Sequence, residues 1–261
     1  MDKASLEQVS LRLSIRRLST VVLTIPMGAM IACFVSAHIH HEDINHTWCP
    51  VYNFIPSVSA ITGVSPERYL WRLCMSAHLV PRCLIAAVCY NHFTRLLDGV
   101  PAERRRRYDQ LVRAGFWANV TELASLACCT YVSNKENYPV HEKAFSLFLF
   151  SCFVYMVVSL AAEREAFPAM TPSQRSSHRW KAFVAVLYVS LIIGLLYYFW
   201  KHRFYCEELA FTWFSFCEYG ICACIMVYHL LVIYDIPEFW LTVGVPLPAA
   251  ANGISAPLKV D

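Results

Sequence analysis

His78 and Arg82 stand four residues apart in a strongly apolar stretch of this 261-residue chain. On a helix that spacing puts both on one face. Pro81 between them can kink the helix and free a carbonyl. Asn119 and Glu122 lie one turn apart in another apolar stretch, His141 and Glu142 stand at the mouth of a third, and Glu218 lies inside a fourth. His38 closes the first apolar run. Ionisable groups in apolar segments are costly, so by default they point to function.

Three chemistries fit these residues. In a structural one, Arg82 pairs with Glu122 or Glu218, and the histidines bond backbone carbonyls. In a catalytic one, His78 or His141, oriented by Glu122, Glu142 or Glu218, acts as general base on a lipid hydroxyl. Arg82, with Asn119 nearby, would then bind a phosphate or an oxyanion as a substrate-binding group. The third is a metal site of His and Glu; with no HExxH motif and the candidates on separate segments, no metal is expected. GxSxG, Walker, dinucleotide-binding and paired CxxC motifs are all missing from the sequence. Cys222-Ala223-Cys224 is a weak metal signal inside an apolar run.

The segments that must position these groups are membrane helices. Hydrophobic residues make up 57% of the chain and charged residues 16%, with a mean hydropathy of +0.42. That is too few charges to coat a soluble globule, where about 25% is usual. Six apolar runs are each long enough to cross about 30 Å of hydrocarbon as a helix. They are Leu18 to Ala37, Trp71 to Phe93, Arg113 to Val132, Ala144 to Ala162, Lys181 to Trp200 and Leu209 to Tyr234. The first is too long for a signal-peptide core and lacks a small-residue cleavage site. The expectation is an all-α, polytopic membrane protein of six spans. Residues 1–17 form an N-terminal tail, 18–235 the membrane domain and 236–261 a C-terminal tail. Gly244 to Asp261, rich in Pro and Ala, reads as disordered.

Orientation follows from Lys and Arg. Lys3, Arg12, Arg16, Arg17, Arg95, Arg104 to Arg107, Arg113, Arg164, Arg175, Arg179, Lys181 and Lys259 fall on one side. The other side holds Arg68, Arg72, Lys135, Lys143, Lys201 and Arg203. Both termini are therefore expected in the cytosol. The sequon Asn45-His46-Thr47 falls on the lumenal side, which suits glycosylation of Asn45. Of the 12 cysteines, ten lie in apolar runs as small packing residues, whereas Cys49 and Cys206 lie in lumenal loops. A disulfide between these two is expected, since bridges persist in that compartment. The four-arginine run reads as a topology determinant that meets anionic headgroups, with a sorting or trafficking signal as the alternative; a loop pinned to a bilayer is poorly placed for nucleic acid. Counted at 1.5 Å per residue, the polar groups sit mid-bilayer or on its lumenal half, and His92, His229 and Asp235 near the cytosolic ends. Glu218 and His229 share a stripe but lie too far apart to pair.

The stretch Cys49 to Ser59, followed by Pro66-Glu67-Arg68-Tyr69-Leu70-Trp71-Arg72, His78, Pro81-Arg82 and Tyr90-Asn91-His92, resembles the post-GPI-attachment-to-proteins factor 2 family, including its "2-like" branch. That family lies within the wider Frag/DRAM/Sfk group of six-span proteins. Asn119-Val120 with Glu122, Thr130 to Ser133, His141-Glu142, Tyr205-Cys206-Glu207, Glu218-Tyr219 and His229 continue the match in order. The arginine-rich second loop, the fourth loop and the C-terminal tail depart from it. The resemblance implies GPI-anchor remodelling in Golgi and ER membranes, with reacylation of the sn-2 position of a lyso-GPI lipid by a saturated, usually stearoyl, chain. It implies no cofactor beyond an acyl donor, acyl-CoA or phospholipid. The implied partners are the GPI lipid of anchored proteins, the membrane itself and other proteins of GPI remodelling. It brings no assigned catalytic residues. A rival is a non-catalytic protein that presents the lipid to a separate acyltransferase.

Overall fold

The computed structural model describes residues 7–246. Within them the chain is all-α apart from one pair of strands. The helices are α1 (Ile15–His40), the short α2 (Val58–Gly63), α3 (Glu67–Arg95), α4 (Ala102–Tyr131), α5 (Tyr138–Ala166), α6 (Pro172–Tyr205) and α7 (Ala210–Asp235). Five of them, α1, α3, α5, α6 and α7, are long and apolar enough to cross a membrane. α4 is as long as the others but begins with Glu103 and the four arginines. Large apolar side chains such as Val80, Phe150, Val186 and Ile193 face outward. On α6 only 17% of the most apolar stretch is buried. Water would not tolerate so much exposed hydrocarbon; lipid does, and the chain is a multi-pass membrane protein.

Local chemistry sets the helix ends. Asn137 caps α5 by accepting from the Val140 amide at 3.2 Å, and Thr171 and Gln174 form a capping box at the start of α6. Both helices therefore start before the apolar runs that mark them. Short turns pack α4 on α5 and α6 on α7, while α1 lies against α3 and α7. The largest core cluster is built by α4 to α7 around Tyr155, Tyr188 and Tyr228, with Leu23 of α1 joining it. Tyr188 and Tyr228 are fully buried, and each hydroxyl donates to a backbone carbonyl of α5, of Leu149 and Met156.

One end of the bundle is closed by a sheet. Segments that read as tails pair as antiparallel strands, β1 (Glu7–Ser14) and β2 (Trp240–Pro246). Ser14 caps α1 and donates to Glu238 at 2.7 Å, and the Arg16 guanidinium donates to the Ile236 carbonyl at 2.9 Å. The remainder of the Pro- and Ala-rich stretch, from 247 on, lies outside the described residues. Nearby, the buried Lys181 ammonium binds both Glu163 of α5 and Asp235 of α7, and His178 bonds Glu163 at 2.9 Å. Lys181, expected near a loop, is thus a clamp between three helices.

The other end is closed by the disulfide Cys49–Cys206, whose Cα atoms are 5.4 Å apart, as expected from their shared side. There Glu136, in the α4–α5 turn, accepts from the amide and the hydroxyl of Ser133, each at 2.9 Å, and from Arg72 of α3 at 2.5 Å. The Ser133 donors, then Arg72, hold the Glu136 carboxyl at about 2, below its ordinary 4.5. A depressed carboxylate stabilises the fold above its ordinary pKa, and that contribution fades as pH falls from 4.5 towards 2. Glu136→Gln should therefore lower the melting temperature at neutral pH, with the gap to wild type closing over that acidic window. A gap that stays constant on acidification would show that Glu136 does not clamp the turn.

Candidate functional site

The disulfide end carries a built site. The loop from Cys49 to Ser57 is laced to the start of α7. Asn53 Oδ1 accepts from the Thr212 amide at 3.1 Å, and Thr212 Oγ1 accepts from the Phe54 amide at 3.0 Å. The Leu209 amide donates to the Tyr52 carbonyl at 3.1 Å and the Tyr219 hydroxyl to the Pro56 carbonyl at 3.2 Å. The loop delivers α2, capped by Ser57, into the bundle. Glu218, 3% exposed on α7, fixes α2 by accepting from the Val58 amide at 2.8 Å. The other end of α2 packs on the α4–α5 turn. A Cβ at Gly63 would meet Asn134 Oδ1 at 2.6 Å, so a larger residue there would displace the Asn134 side chain.

This placement puts the Ser59 hydroxyl 2.9 Å from His141 Nε2. His141 Nδ1 lies 2.8 Å from the Val132 carbonyl. A carbonyl only accepts, so Nδ1 carries the proton, and in the neutral imidazole Nε2 is left to accept from Ser59. The result is a serine–histidine pair with its tautomer set by the backbone. Ser59, His141 and Glu218 all line one cavity of about 70 Å³ between α1, α2, α3, α4, α5 and α7. Its other walls are largely apolar, with Met27, Met30, Met75, Phe145, Phe148 and Met226 among them. A polar edge on a small apolar cavity suits the carbonyl or hydroxyl end of a lipid, not its whole tail.

The other sequence candidates form a separate cluster. Arg82 Nη2 donates to Glu122 Oε1 at 2.9 Å and to Asn119 Oδ1 at 3.3 Å, joining α3 to α4. His229 of α7, expected near a helix end, reaches the same carboxylate, with Nε2 2.9 Å from Oε1. The Tyr155 ring stacks on His229 at 5.0 Å between centroids. Arg82, Glu122, Asn119 and His229 are all buried. His78 is wholly buried one turn before Arg82, and its Nδ1 donates to the Val22 carbonyl at 2.7 Å, not to a carboxylate. Among the described residues, neither its Nε2 nor Arg82 Nη1 has a hydrogen-bond partner. Glu142 is exposed and joins neither group; Asn45 is half-buried in the first loop. Among the described residues no group of three or more His, Cys, Asp or Glu is arranged to hold a metal.

The same core, from the strand before α1 to the residue before β2, carries a family signature. Residues 14–239 match the family model described as Frag1/DRAM/Sfk1/Cwh43P N-terminal domain. A Drosophila melanogaster protein named "Post-GPI attachment to proteins factor 2-like" is 38% identical over 95% of this chain and 78% of its own length. The chain belongs to the post-GPI attachment to proteins factor 2 family. A Xenopus tropicalis member named "Acyltransferase PGAP2" is 34% identical, over 87% of this chain and 88% of its own. A Caenorhabditis elegans member named "Post-GPI attachment to proteins factor 2" is 29% identical over 81% of each. No solved structure matches the chain.

For this family member, sequence reasoning did not find two residues that the fold brings into place. His229 was set apart by counting depth along α7. Ser59 is the last residue of the Cys49 to Ser59 stretch, and nothing in its spacing links it to His141. The buried cluster has a direct test. Removing one partner of a buried ion pair costs about 3–5 kcal/mol, whereas replacing both with apolar groups is often neutral. Arg82→Met or Glu122→Gln should each sharply lower the fraction of folded protein in detergent, and Arg82→Met with Glu122→Leu should recover most of it. A double variant as damaged as the singles would show that the cluster does more than neutralise charge.

Proposed function

We propose that this protein reacylates the sn-2 hydroxyl of a lyso-GPI lipid with a saturated chain, stearoyl in particular. The observation that carries the reading is the Ser59–His141 pair on the edge of an apolar cavity. His141 Nε2 is the general base, and the Val132 carbonyl keeps it in the accepting tautomer. Glu218 acts through the Val58 amide as a positioning group for α2. The apolar walls take the carbons next to the acyl carbonyl, and the rest of the chain lies in lipid, since enclosing it would need about 300 Å³ or more. The name of the Xenopus relative supports an acyltransferase, and the shared family name supports the GPI pathway.

The proposal includes topology. α4 is the sixth crossing, over its apolar part from Arg113 onward, and its buried Glu122 is paid for by Arg82 and His229. Both termini are then cytosolic, the disulfide end is lumenal, and Asn45 is open to glycosylation. The lumenal leaflet is where a GPI anchor lies, in Golgi and ER membranes. In this reading Arg82, Glu122, Asn119 and His78 hold the bundle together and do not touch substrate.

The test is purified protein in nanodiscs with a labelled lyso-GPI and, in separate arms, stearoyl-CoA or stearoyl-phospholipid. Diacyl product is expected with one donor. His141→Gln should lower turnover by about 10²–10⁴-fold, the usual worth of a general base, with folding intact. No product with either donor, from folded protein that binds the lipid, would overturn the enzyme and leave a presenter for a separate acyltransferase.

A further inference from the structure

We infer that Ser59 is the acyl-accepting nucleophile, so that transfer runs through an acyl-serine intermediate. The inference rests on the acyl-transfer reading and specifies its route. Only one nitrogen of His141 can serve as base, because Nδ1 is committed to the Val132 carbonyl at 2.8 Å. The remaining nitrogen already receives the Ser59 hydroxyl at 2.9 Å. A substrate hydroxyl cannot reach that lone pair while Ser59 occupies it. The group in contact with the base is therefore the first to be activated, as in other serine–histidine pairs.

Ser59 is also held more firmly than a loop serine. Its backbone lies between the Val58 amide, fixed on Glu218 at 2.8 Å, and Thr62, whose hydroxyl donates to the Val58 carbonyl at 2.8 Å. Val132 and His141 flank the α4–α5 turn, against which Gly63 packs. The nucleophile and its base therefore sit on two segments pressed directly together, which restricts their relative motion. Such preorganisation is what a near-attack geometry requires.

The chemistry balances in two steps. First, Ser59 Oγ attacks the carbonyl of an acyl ester or thioester donor and gives its proton to His141 Nε2. The donor's carbon–oxygen or carbon–sulfur bond breaks, and the leaving lysophospholipid or thiol takes that proton. The acyl chain remains on Ser59, with the carbons next to its carbonyl in the cavity and the rest of the tail in lipid. Second, the sn-2 hydroxyl of the lyso-GPI lipid gives its proton to His141 and attacks the acyl-serine carbonyl. The bond to Ser59 Oγ breaks, and Oγ recovers the proton. No oxidant or other co-reactant is needed, and donor and acceptor never have to occupy the cavity together.

The experiment omits the acceptor. Protein in nanodiscs receives an alkyne-tagged stearoyl donor, as the CoA thioester or as a phospholipid, and is quenched under denaturing conditions and digested. A stearoyl ester on the Ser59 peptide is expected with one donor. It should resist neutral hydroxylamine and disappear when lyso-GPI is added. Ser59→Ala should lack the adduct and lose at least about 10²-fold in turnover, the lower range for a lost acid–base partner. Ser59→Cys should carry the chain as a hydroxylamine-labile thioester, a readout that a merely structural serine would not give. Cys129 and Cys222 line the same cavity, so an adduct on either thiol overturns the assignment to Ser59. Wild-type turnover in Ser59→Ala with no adduct in any form overturns the intermediate and leaves direct transfer by His141. No diacyl product from wild type with either donor overturns the acyl-transfer reading, and this inference falls with it.

Discussion

A guanidinium buried between helices must be neutralised, and that requirement fixes how α3, α4 and α7 meet. Arg82 is 2% exposed and Glu122 1% exposed. Moving either ion out of water costs several kcal/mol even after relaxation, so neither tolerates the other's absence. The carboxylate of Glu122 takes donors from two sides, Arg82 at 2.9 Å and His229 at 2.9 Å. Apolar packing alone would let helices in lipid slide or rotate, because lipid tails compete equally well for an apolar face. A three-way polar contact has a single registration. Once α3, α4 and α7 are registered, α5 follows α4 and α6 follows α7 through short turns.

That registration has a consequence at the disulfide end. α7 brings Glu218 three turns before His229, and Glu218 takes the Val58 amide of α2. α4 ends in the turn that holds Val132 and leads into His141. The Ser59–His141 pair is therefore assembled from an α2 hung on α7 and a turn hung on α4. The charge cluster does not touch the cavity pair, yet it aligns the two helices on which that pair depends. The disulfide ties the first loop to the end of α6 and the Asn53–Thr212 bonds tie it to the start of α7, so α2 does not rely on Glu218 alone.

Much of this was legible in the sequence because hydrocarbon imposes a length on helices. Apolar runs of about 20 residues located α1, α3, α5, α6 and α7. They placed the ends short, since a helix runs on into water wherever a cap starts it; α6 begins at Pro172 behind Thr171, nine residues before Lys181. The disulfide was legible because alternating crossings put Cys49 and Cys206 on one side. The partner of Arg82 was legible as a choice between Glu122 and Glu218. His229 was not, because counting along one helix gives height but neither tilt nor rotation. The pairing of β1 with β2 was not legible either, since the partners lie at opposite ends of the chain and carry no turn between them. Ser59 and His141 meet only through tertiary structure.

The position of the pair also bears on the acyl donor. In the proposed orientation Ser59 and His141 lie at the lumenal end, on α2 and at the start of α5. A lumenal phospholipid reaches that level with its ester carbonyl already at the headgroup boundary and its chain already in hydrocarbon. An acyl-CoA starts on the opposite side, and its nucleotide carries phosphates that cannot cross about 30 Å of hydrocarbon unaided. The walls of the cavity are largely apolar, and among the described residues no lysine or arginine lines it to neutralise such a cargo. The Arg82 guanidinium, which donates through Nη2 to Glu122 and Asn119, does not line this cavity. A serine that holds the chain between two lipids of one leaflet removes the need for any such passage, so the two-step route and a phospholipid donor support each other.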